Sequence, residues 1–230
     1  MRKRRAIVTF VVGAACFMLL AGAMPSVIEE SIPENSGDTQ VVEVGDNAAL
    51  KALETIPVKG RASKSGYERA QFGDGWSTVL GCSTRNIILN RDLRDVVLDE
   101  ECKVLSGVLD DPYTGEELRF SSEHSGAIQI DHVVALSDAW QKGAQKLTKE
   151  RRIQLANDPL ELLAVDGPAN QQKGDGDAAT WLPANKPYRC AYVARQIAVK
   201  AKYALWVTVA EKDAMVRVLS SCPDQALPAP

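Results

Sequence analysis

Asp131 and His132 stand side by side near the end of an apolar run, residues 127–136, and they are the pair best suited to chemistry in this sequence. Strand interiors disfavour charge, so the pair needs an explanation. A carboxylate can bind a metal ion, and a neutral imidazole, with a free pKa near ~6.5, can accept a proton. The plainer interpretation is a strand-end pair satisfied by neighbouring backbone. The chain's other histidine, His124, lies in a polar stretch typical of a hairpin tip.

Two further polar groups follow this pair along the chain. Asn157 stands where a predicted helix ends, just before the short apolar run 160–165. Asn170 and Lys173 lie three residues apart in a predicted helix over 168–173, so they share one helical face. Each has a structural alternative: Asn157 is equally a helix C-cap, and Lys173 is equally a solvated lysine of a last helical turn.

The order of these residues resembles that of the HNH, or His-Me finger, nucleases. The motif is similar to the HNH domain of RNA-guided CRISPR nucleases, and a similarity to a secreted bacterial HNH family runs from about Arg85 to Tyr192. The matching segments are Asp110 with Pro112 and Tyr113, Ile130-Asp131-His132-Val133-Val134-Ala135-Leu136, Asp138-Ala139-Trp140 and Trp181-Leu182-Pro183. The classical pattern has histidine where this chain has Asn170. Because of this difference, the identity of the metal has to be inferred from the chemistry of the ligands present.

The resemblance implies an α+β fold with a ββα-metal core, an added hairpin and C-terminal helices. In that core Asp131 would bind the metal and His132 would be the general base. Asn157 would organise the turn beneath the histidine, and Asn170 would be the second protein ligand. A carboxylate and an amide oxygen form a hard, sparse ligand set, which suits one Mg²⁺ (or Mn²⁺) per site better than zinc.

Basic residues near the motif are the candidates for substrate binding. The shared face with Asn170 would set Lys173 beside a metal-bound phosphate, and Arg151 and Arg152 belong to the densest basic stretch, 142–152. A charge run is usually only a solvated helix face. The formal net charge of −3 means that a local patch and a cation, rather than bulk positive charge, must hold a polyanion.

The first 23 residues have the pattern of a secretory signal peptide. Residues 2–5 are basic, residues 6–23 carry no charge, and this run closes on Ala21-Gly22-Ala23. We expect cleavage after Ala23, a secreted or extracytoplasmic protein, and no stable membrane partner afterwards. Because the run is near the lower length limit for a membrane span, the alternative is a protein tethered to the membrane by an uncleaved signal anchor.

Export leaves an even set of cysteines, since Cys16 departs with the signal. Four cysteines in an oxidising compartment predict two disulfides. Three pairings are possible, and proximity in the sequence favours Cys82 with Cys102 and Cys190 with Cys222. The expected fold is therefore disulfide-stapled.

The remaining sequence predicts one folded nuclease-type domain over residues 56–222. Residues 24–55 are acidic and interrupted by proline, as in a disordered linker, although 47–56 can form a short helix. Residues 223–230 read as a frayed tail. Within the domain, helices are predicted over 84–93, 137–144, 148–156, 168–173, 188–203 and 208–219, with strands over 102–109, 117–121, 127–136 and 160–165.

The resemblance and the export signal together predict a secreted, metal-dependent endonuclease. It would hydrolyse phosphodiester bonds with low sequence specificity as a monomer, with DNA favoured over RNA. One alternative is a catalytically silent, disulfide-stapled binding module of the cell envelope, and the intact set of Asp131, His132 and Asn170 argues against it. The other is a metal phosphoesterase for small molecules, which nicking of a supercoiled plasmid would exclude.

Overall fold

The computed structural model describes residues 47–228, which form a mixed arrangement of helices and strands. The helices are α1 (Ala48–Thr55), α2 (Thr84–Asp92), α3 (Leu136–Gln141), α4 (Lys149–Ala156), α5 (Gly167–Lys173), α6 (Arg189–Lys202) and α7 (Val209–Leu219). The strands are β1 (Thr78–Val79), β2 (Cys82–Ser83), β3 (Arg94–Leu98), β4 (Val104–Asp110), β5 (Glu117–Ser121), β6 (Ile128–His132) and β7 (Leu162–Asp166). The predicted α+β class is confirmed. The predicted signal peptide (1–23) and residues 24–46 of the predicted linker lie outside the described residues.

The strands form three small antiparallel sheets, β1–β2, β3–β4–β5 and β6–β7. The predicted hairpin is present between β4 and β5. Its turn is closed by the Asp111 carboxylate, which accepts hydrogen bonds from the backbone nitrogen of Thr114 at 2.8 Å and from its hydroxyl at 2.6 Å. The other carboxylate oxygen of Asp111 accepts from the backbone nitrogen of Asp166 at 2.9 Å, so this turn also holds the end of β7.

Helix α5 follows β7 directly and packs against both strands of the β6–β7 pair. The strand register runs from Ile128 opposite Asp166 to His132 opposite Leu162. Asp166 caps α5, because its carboxylate accepts from the backbone nitrogen of Ala169 at 2.7 Å. Two antiparallel strands and a following helix are therefore fixed to one another over a short stretch of chain.

The β6–β7 pair lies between two hydrophobic cores. Leu162 and Ala164 pack with α2 and the three-stranded sheet, whereas Leu163 and Val165 pack with the core of the larger helices. This division follows from the pleat, which sends successive side chains of a strand to opposite faces. Both faces of β7 are covered, so its position is strongly determined by packing.

Buried residues and hydrogen bonds continue on both sides of the predicted domain, residues 56–222. Ala49 and Leu53 of α1 are buried. Asn47 caps α1 by accepting from the backbone nitrogen of Leu50 at 2.9 Å, and its amide donates to the carbonyl of Cys222 at 2.6 Å. The carbonyl of Gln225 accepts from the nitrogen of Ala49 at 3.2 Å. The two ends of the domain thus cover each other, a long-range pairing that local composition does not reveal.

Both predicted disulfides are present. Cys82 pairs with Cys102, which joins β2 to the loop between β3 and β4. Cys190 pairs with Cys222, which joins the first turn of α6 to the segment after α7. The first bridge fixes the short hairpin β1–β2 to the three-stranded sheet, and the second fixes the C-terminal helices to each other.

A buried ionic cluster connects the helices of the larger core. The ammonium group of Lys142 lies 2.8 Å from Asp138, 2.7 Å from Asp177 and 2.6 Å from Glu211. Lys200 adds a contact of 3.0 Å to Glu211. Arg61 completes the cluster at 2.8 Å from both aspartates, so three positive groups face three carboxylates. Lys142 belongs to the predicted basic stretch, yet its charge is used inside the domain rather than on its surface.

Gly167 is predicted to be intolerant of any side chain, because an added Cβ would lie 2.6 Å from the carbonyl oxygen of Gly126. We expect Gly167→Ala to lower the free energy of unfolding by about 1–3 kcal/mol, since a backbone shift is needed to relieve the overlap. Gly60→Ala is the matched control, because an added Cβ there meets nothing within 4 Å. Urea unfolding of both variants checks this, and equal stabilities would contradict the close approach.

Candidate active site

A cleft of about 510 Å³ runs along the open edge of β6. Four successive residues of this strand line it: Gln129, Ile130, Asp131 and His132. Because alternate side chains point to opposite faces of a strand, four consecutive residues can reach one cleft only at a strand edge. In the described part of the chain β6 pairs with β7 alone, so its other edge is free to form this wall.

The structure brings the three predicted site residues Asp131, His132 and Asn170 to this one cleft. Asn170 reaches it from α5, which flanks β6. Earlier parts of the chain also contribute to the wall, through Tyr67, Arg69, Trp76 and Arg85. A metal ligand candidate, a proton acceptor candidate and two arginines therefore face the same space.

His132 is held in one orientation and one tautomer. Its Nε2 lies 3.0 Å from the carbonyl oxygen of Ala156. A carbonyl oxygen can only accept, so Nε2 carries the proton and Nδ1 keeps its lone pair. The indole of Trp76 stacks nearly parallel to the imidazole, at 8° and 5.7 Å between ring centres. The ring is therefore positioned from two sides with one basic nitrogen left over.

Burial lowers the pKa of His132 from its ordinary value of 6.5 to about 3. The positive charges of Arg69 and Lys173 act in the same direction, while the hydrogen bond to Ala156 opposes them. The imidazole is consequently neutral at neutral pH, the form that can accept a proton.

Asp131 is buried and held by two partners. Its Oδ1 lies 2.9 Å from the ammonium group of Lys173, and its Oδ2 accepts a short hydrogen bond from the hydroxyl of Tyr113. Lys173 also donates to the carbonyl oxygen of His132 at 2.8 Å, and its side chain is fully buried. Lys173 is thus neither the predicted phosphate contact nor a solvated lysine. The helical face it shares with Asn170 lies against β6, where a buried carboxylate needs a positive partner.

Asn170 keeps one coordinating atom available. Its amide nitrogen donates to the side-chain oxygen of Gln129 at 2.9 Å. This bond fixes the amide group, and no hydrogen bond to its own oxygen is found within the described residues. Since Gln129 and Asp131 are two residues apart on β6, they lie on the same face of the strand.

The residues present fit a sparse site for a hard cation. Each carboxylate oxygen of Asp131 has one internal hydrogen-bond partner and a further lone pair, and Asn170 offers an amide oxygen. Among residues 47–228 there is no group of three or more His, Cys, Asp or Glu side chains arranged to hold a metal. A cation here would depend on two protein oxygens, with water and phosphate oxygens as its other ligands, a set that Mg²⁺ tolerates and structural zinc does not.

Asn157 joins two segments beneath the histidine without touching it. It caps the end of α4, with its amide nitrogen donating to the carbonyl of Ile153 at 3.0 Å. Its side-chain oxygen accepts from the backbone nitrogen of Ser77 at 2.8 Å, next to Trp76. The contact to His132 is made by the neighbouring residue Ala156. Asn157 is therefore the C-cap of α4 and also ties the end of this helix to the segment that carries Trp76.

Arg151 and Arg152 lie away from the cleft, and their guanidinium groups are used inside the domain. Arg151 donates to the carbonyl of Lys202 at 2.9 Å and lies 4.3 Å from the ring centre of Tyr203. Arg152 donates to both the backbone and the side-chain oxygen of Gln71 at 2.9 Å. These positions do not support the prediction that the two arginines bind substrate. The amphipathic spacing of α4 could not show this, because it does not reveal which arginines find hydrogen-bond acceptors inside the domain.

Sequence reasoning did not single out Arg69, Trp76 or Arg85 as site residues. They come from loops and a helix far from the motif, and only the fold brings them to β6. Tyr113 was part of the matched pattern, so it carried a signal, but its hydrogen bond to Asp131 could not be read from that pattern.

This cleft combines a neutral histidine with carboxylate and amide oxygens, the components of a metal-dependent hydrolase site. Residues 84–218 match the model of a family described as GmrSD restriction endonucleases, C-terminal domain, and the chain belongs to this family. It is also 35% identical over 217 residues to an "Uncharacterized secreted protein" of Arthroderma benhamiae, with 93% of this chain and 98% of the relative covered. No solved structure matches the chain.

These comparisons support a nuclease family for the chain. The relative is fungal, so the bacterial origin implied by the resemblance stays a prediction, as does the closeness to CRISPR nucleases. Within the described residues no helix is long and apolar enough to cross a membrane. The matched segment contains Asp131, His132, Asn157 and Asn170, but it begins after Arg69 and Trp76.

The buried neutral imidazole predicts a pH dependence of stability that is measurable without metal. With a folded-state pKa near 3 and an unfolded-state pKa near 6.5, the unfolded chain alone takes up this proton below pH 6.5. The stabilisation is therefore complete above that pH and is lost as the pH falls. Between pH 6 and 5, above the usual range of aspartate titration, we expect this imidazole to contribute a drop of about 1 kcal/mol per pH unit to the free energy of unfolding.

Urea unfolding in chelator, with His132→Gln and His124→Gln compared, checks this dependence. His124 lies exposed in the 3₁₀ turn Ser122–His124 and serves as the control. His132→Gln should flatten the slope, and His124→Gln should leave it as in the wild type. An unchanged slope in His132→Gln would show that this imidazole is not the group responsible.

Proposed function

We propose that this protein is a secreted endonuclease that hydrolyses phosphodiester bonds of DNA with low sequence specificity and with one divalent metal ion per site. The observation that carries the proposal is the meeting of Asp131, His132 and Asn170 at one cleft, with the Nε2 of His132 bound to the carbonyl of Ala156. The family model supports nuclease activity and a nucleic acid as the substrate. Because that family is described by restriction endonucleases, it favours DNA over RNA.

Two features of the chain are consistent with secretion. The relative that matches almost its full length is described as secreted, and both disulfides belong to an oxidising compartment. The protein is secreted, and its substrate is therefore nucleic acid outside the cytoplasm. We expect it to act there as a monomer.

His132 would act as the general base through Nδ1. This nitrogen accepts a proton from a water molecule whose oxygen forms a bond to phosphorus, while the bond from phosphorus to the leaving oxygen breaks and that oxygen takes a proton from solvent. The Ala156 carbonyl stabilises the imidazolium formed in this step, because it accepts from the Nε2 hydrogen. Trp76 limits rotation of the ring, so Nδ1 keeps its direction between turnovers.

Asp131 and Asn170 would hold the cation, Mg²⁺ or Mn²⁺. When bound, it would polarise the phosphate and stabilise the charge on the leaving oxygen. Lys173 and Tyr113 fix the Asp131 carboxylate in position, since both donate hydrogen bonds to its oxygens. Gln129 does the same for the amide of Asn170.

The first test is nicking of supercoiled plasmid by the purified secreted protein with Mg²⁺, Mn²⁺ or chelator. We expect cleavage with metal only, and loss of ~10² to 10⁴-fold in rate for His132→Ala, the usual contribution of a positioned proton acceptor. His124→Ala is the matched control and should cut as the wild type does. Labelled duplex DNA and RNA of the same sequence distinguish the two substrates.

Two results would overturn the mechanism. One is complete cutting by the wild type in chelator, and the other is undiminished cutting by His132→Ala. A wild type that cleaves neither DNA nor RNA would instead favour a binding module, and cleavage of small phosphodiesters alone would favour a phosphoesterase.

A second prediction concerns the metal ligands. Asn170→Ala removes one of two protein oxygens, so the Mg²⁺ concentration for half-maximal rate should rise by roughly 10-fold or more. Gln172→Ala is the control, because Gln172 is an exposed neighbour on α5 outside the cleft. Titration of the plasmid-nicking rate with Mg²⁺ measures both variants. An Asn170→Ala curve that superimposes on the wild type would remove Asn170 from the ligand set.

A further inference from the structure

The cleft carries uncompensated positive charge, although the chain as a whole is acidic. Two carboxylates line the cleft, and a lysine neutralises each: Asp131 lies 2.9 Å from Lys173, and Asp175 lies 3.1 Å from Lys64. The two arginines of the lining, Arg69 and Arg85, have no carboxylate partner among residues 47–228. The local balance therefore favours an anion.

The two arginines differ in how their guanidinium groups are used. Arg85 is half-buried and donates to the carbonyl oxygens of Ser125 and Ile128, at 3.2 and 3.4 Å, so it supports the start of β6. Arg69 is exposed, and its guanidinium group makes no hydrogen bond or ion pair within the described part of the chain. A guanidinium group has five donors, and those of Arg69 all remain available to a ligand.

Arg69 and His132 border two spaces in common. Both line the large cleft, and both line a smaller cavity of about 180 Å³ that Trp76 and Ala156 also border. The charge of Arg69 also contributes to the lowered pKa of His132. An anion beside the imidazole would thus contact a group with matching charge and a fork of donors.

The segment that carries Arg69 is firmly attached. Arg69 begins the 3₁₀ turn Arg69–Phe72, whose Phe72 is buried in the larger core. The guanidinium of Arg152 donates twice to Gln71, at 2.9 Å to its backbone oxygen and 2.9 Å to its side-chain oxygen. Arg152 is therefore a positioning residue for this turn, so the unused guanidinium of Arg69 extends from a fixed backbone.

We infer that Arg69 binds a non-bridging oxygen of the scissile phosphate opposite His132, so that the segment before the family-matched region completes the active site. This inference rests on the proposed function. A bidentate guanidinium contact with phosphate is a charge-assisted pair of hydrogen bonds, stronger than a neutral contact and directional. It would hold the phosphorus before the Nδ1 side of the imidazole and stabilise the charge that develops on the phosphate oxygens.

The test compares Arg69→Ala, Arg69→Lys and the control Arg119→Ala, an exposed arginine on β5 outside the cleft. In plasmid nicking we expect Arg69→Ala to lose about 10²-fold in kcat/KM, with kcat reduced more than KM is raised. Arg69→Lys should recover part of the loss, because it keeps the charge and loses the fork. Arg119→Ala should match the wild type, and all three should unfold at the wild-type temperature.

Binding is measured separately in the His132→Ala background, where cleavage is expected to be slowed by ~10² to 10⁴-fold. Adding Arg69→Ala should weaken binding of a short DNA duplex and reduce the slope of log affinity against log salt by about one, as expected for one lost phosphate contact. An Arg69→Ala variant with wild-type kcat/KM and an unchanged salt slope would overturn the inference. A wild type that cleaves no nucleic acid would overturn the proposed function instead, so the two failures are distinguishable.

Discussion

The contact between the buried ammonium group of Lys173 and the buried carboxylate of Asp131 determines how the site is built. A charge in this position is costly without a partner, and each of these groups has the other at 2.9 Å. Lys173 also binds the backbone oxygen of His132, so one side chain of α5 fixes two successive residues of β6. The helix and the strand therefore cannot slide past each other without exposing an unpaired charge to the core.

The position of the imidazole is a consequence of this arrangement. With β6 held by α5 on the Asp131 side, the pleat directs His132 to the other side, where Ala156 and Trp76 receive it. Those two contacts come from the end of α4 and from the loop before β1, and Asn157 ties these segments together through Ser77. The neutral state of the histidine thus depends on burial by elements that lie far apart in sequence.

Much of the fold could be predicted from the sequence because its elements are short, regular and bounded by turn residues. Examples are the hairpin closed by Asp111 and the helices α6 and α7. The two disulfides could be predicted because each joins cysteines that are neighbours in the cysteine order. The small strand β3 and the extent of the domain at both ends could not, since they depend on long-range contacts such as that between Asn47 and Cys222. Among the site residues, the sequence indicated which side chains would lie close together. It did not indicate which charged groups would be paired inside the domain and so be unavailable to a substrate.

The arginines show why that last distinction needs a structure. Arg85, Arg151 and Arg152 all donate to acceptors within the domain. The basic run that includes α4 does not reveal that its two arginines are used in this way. Arg152 donates hydrogen bonds to the turn that carries Arg69. Arg69, which lies far from the motif in sequence, lines the cleft with its own donors unused. A polar group is available to a ligand only when no group inside the protein already forms its hydrogen bonds. In an acidic protein of this kind, the position of the internal acceptors therefore decides where a polyanion can bind. The density of positive charge along the chain does not.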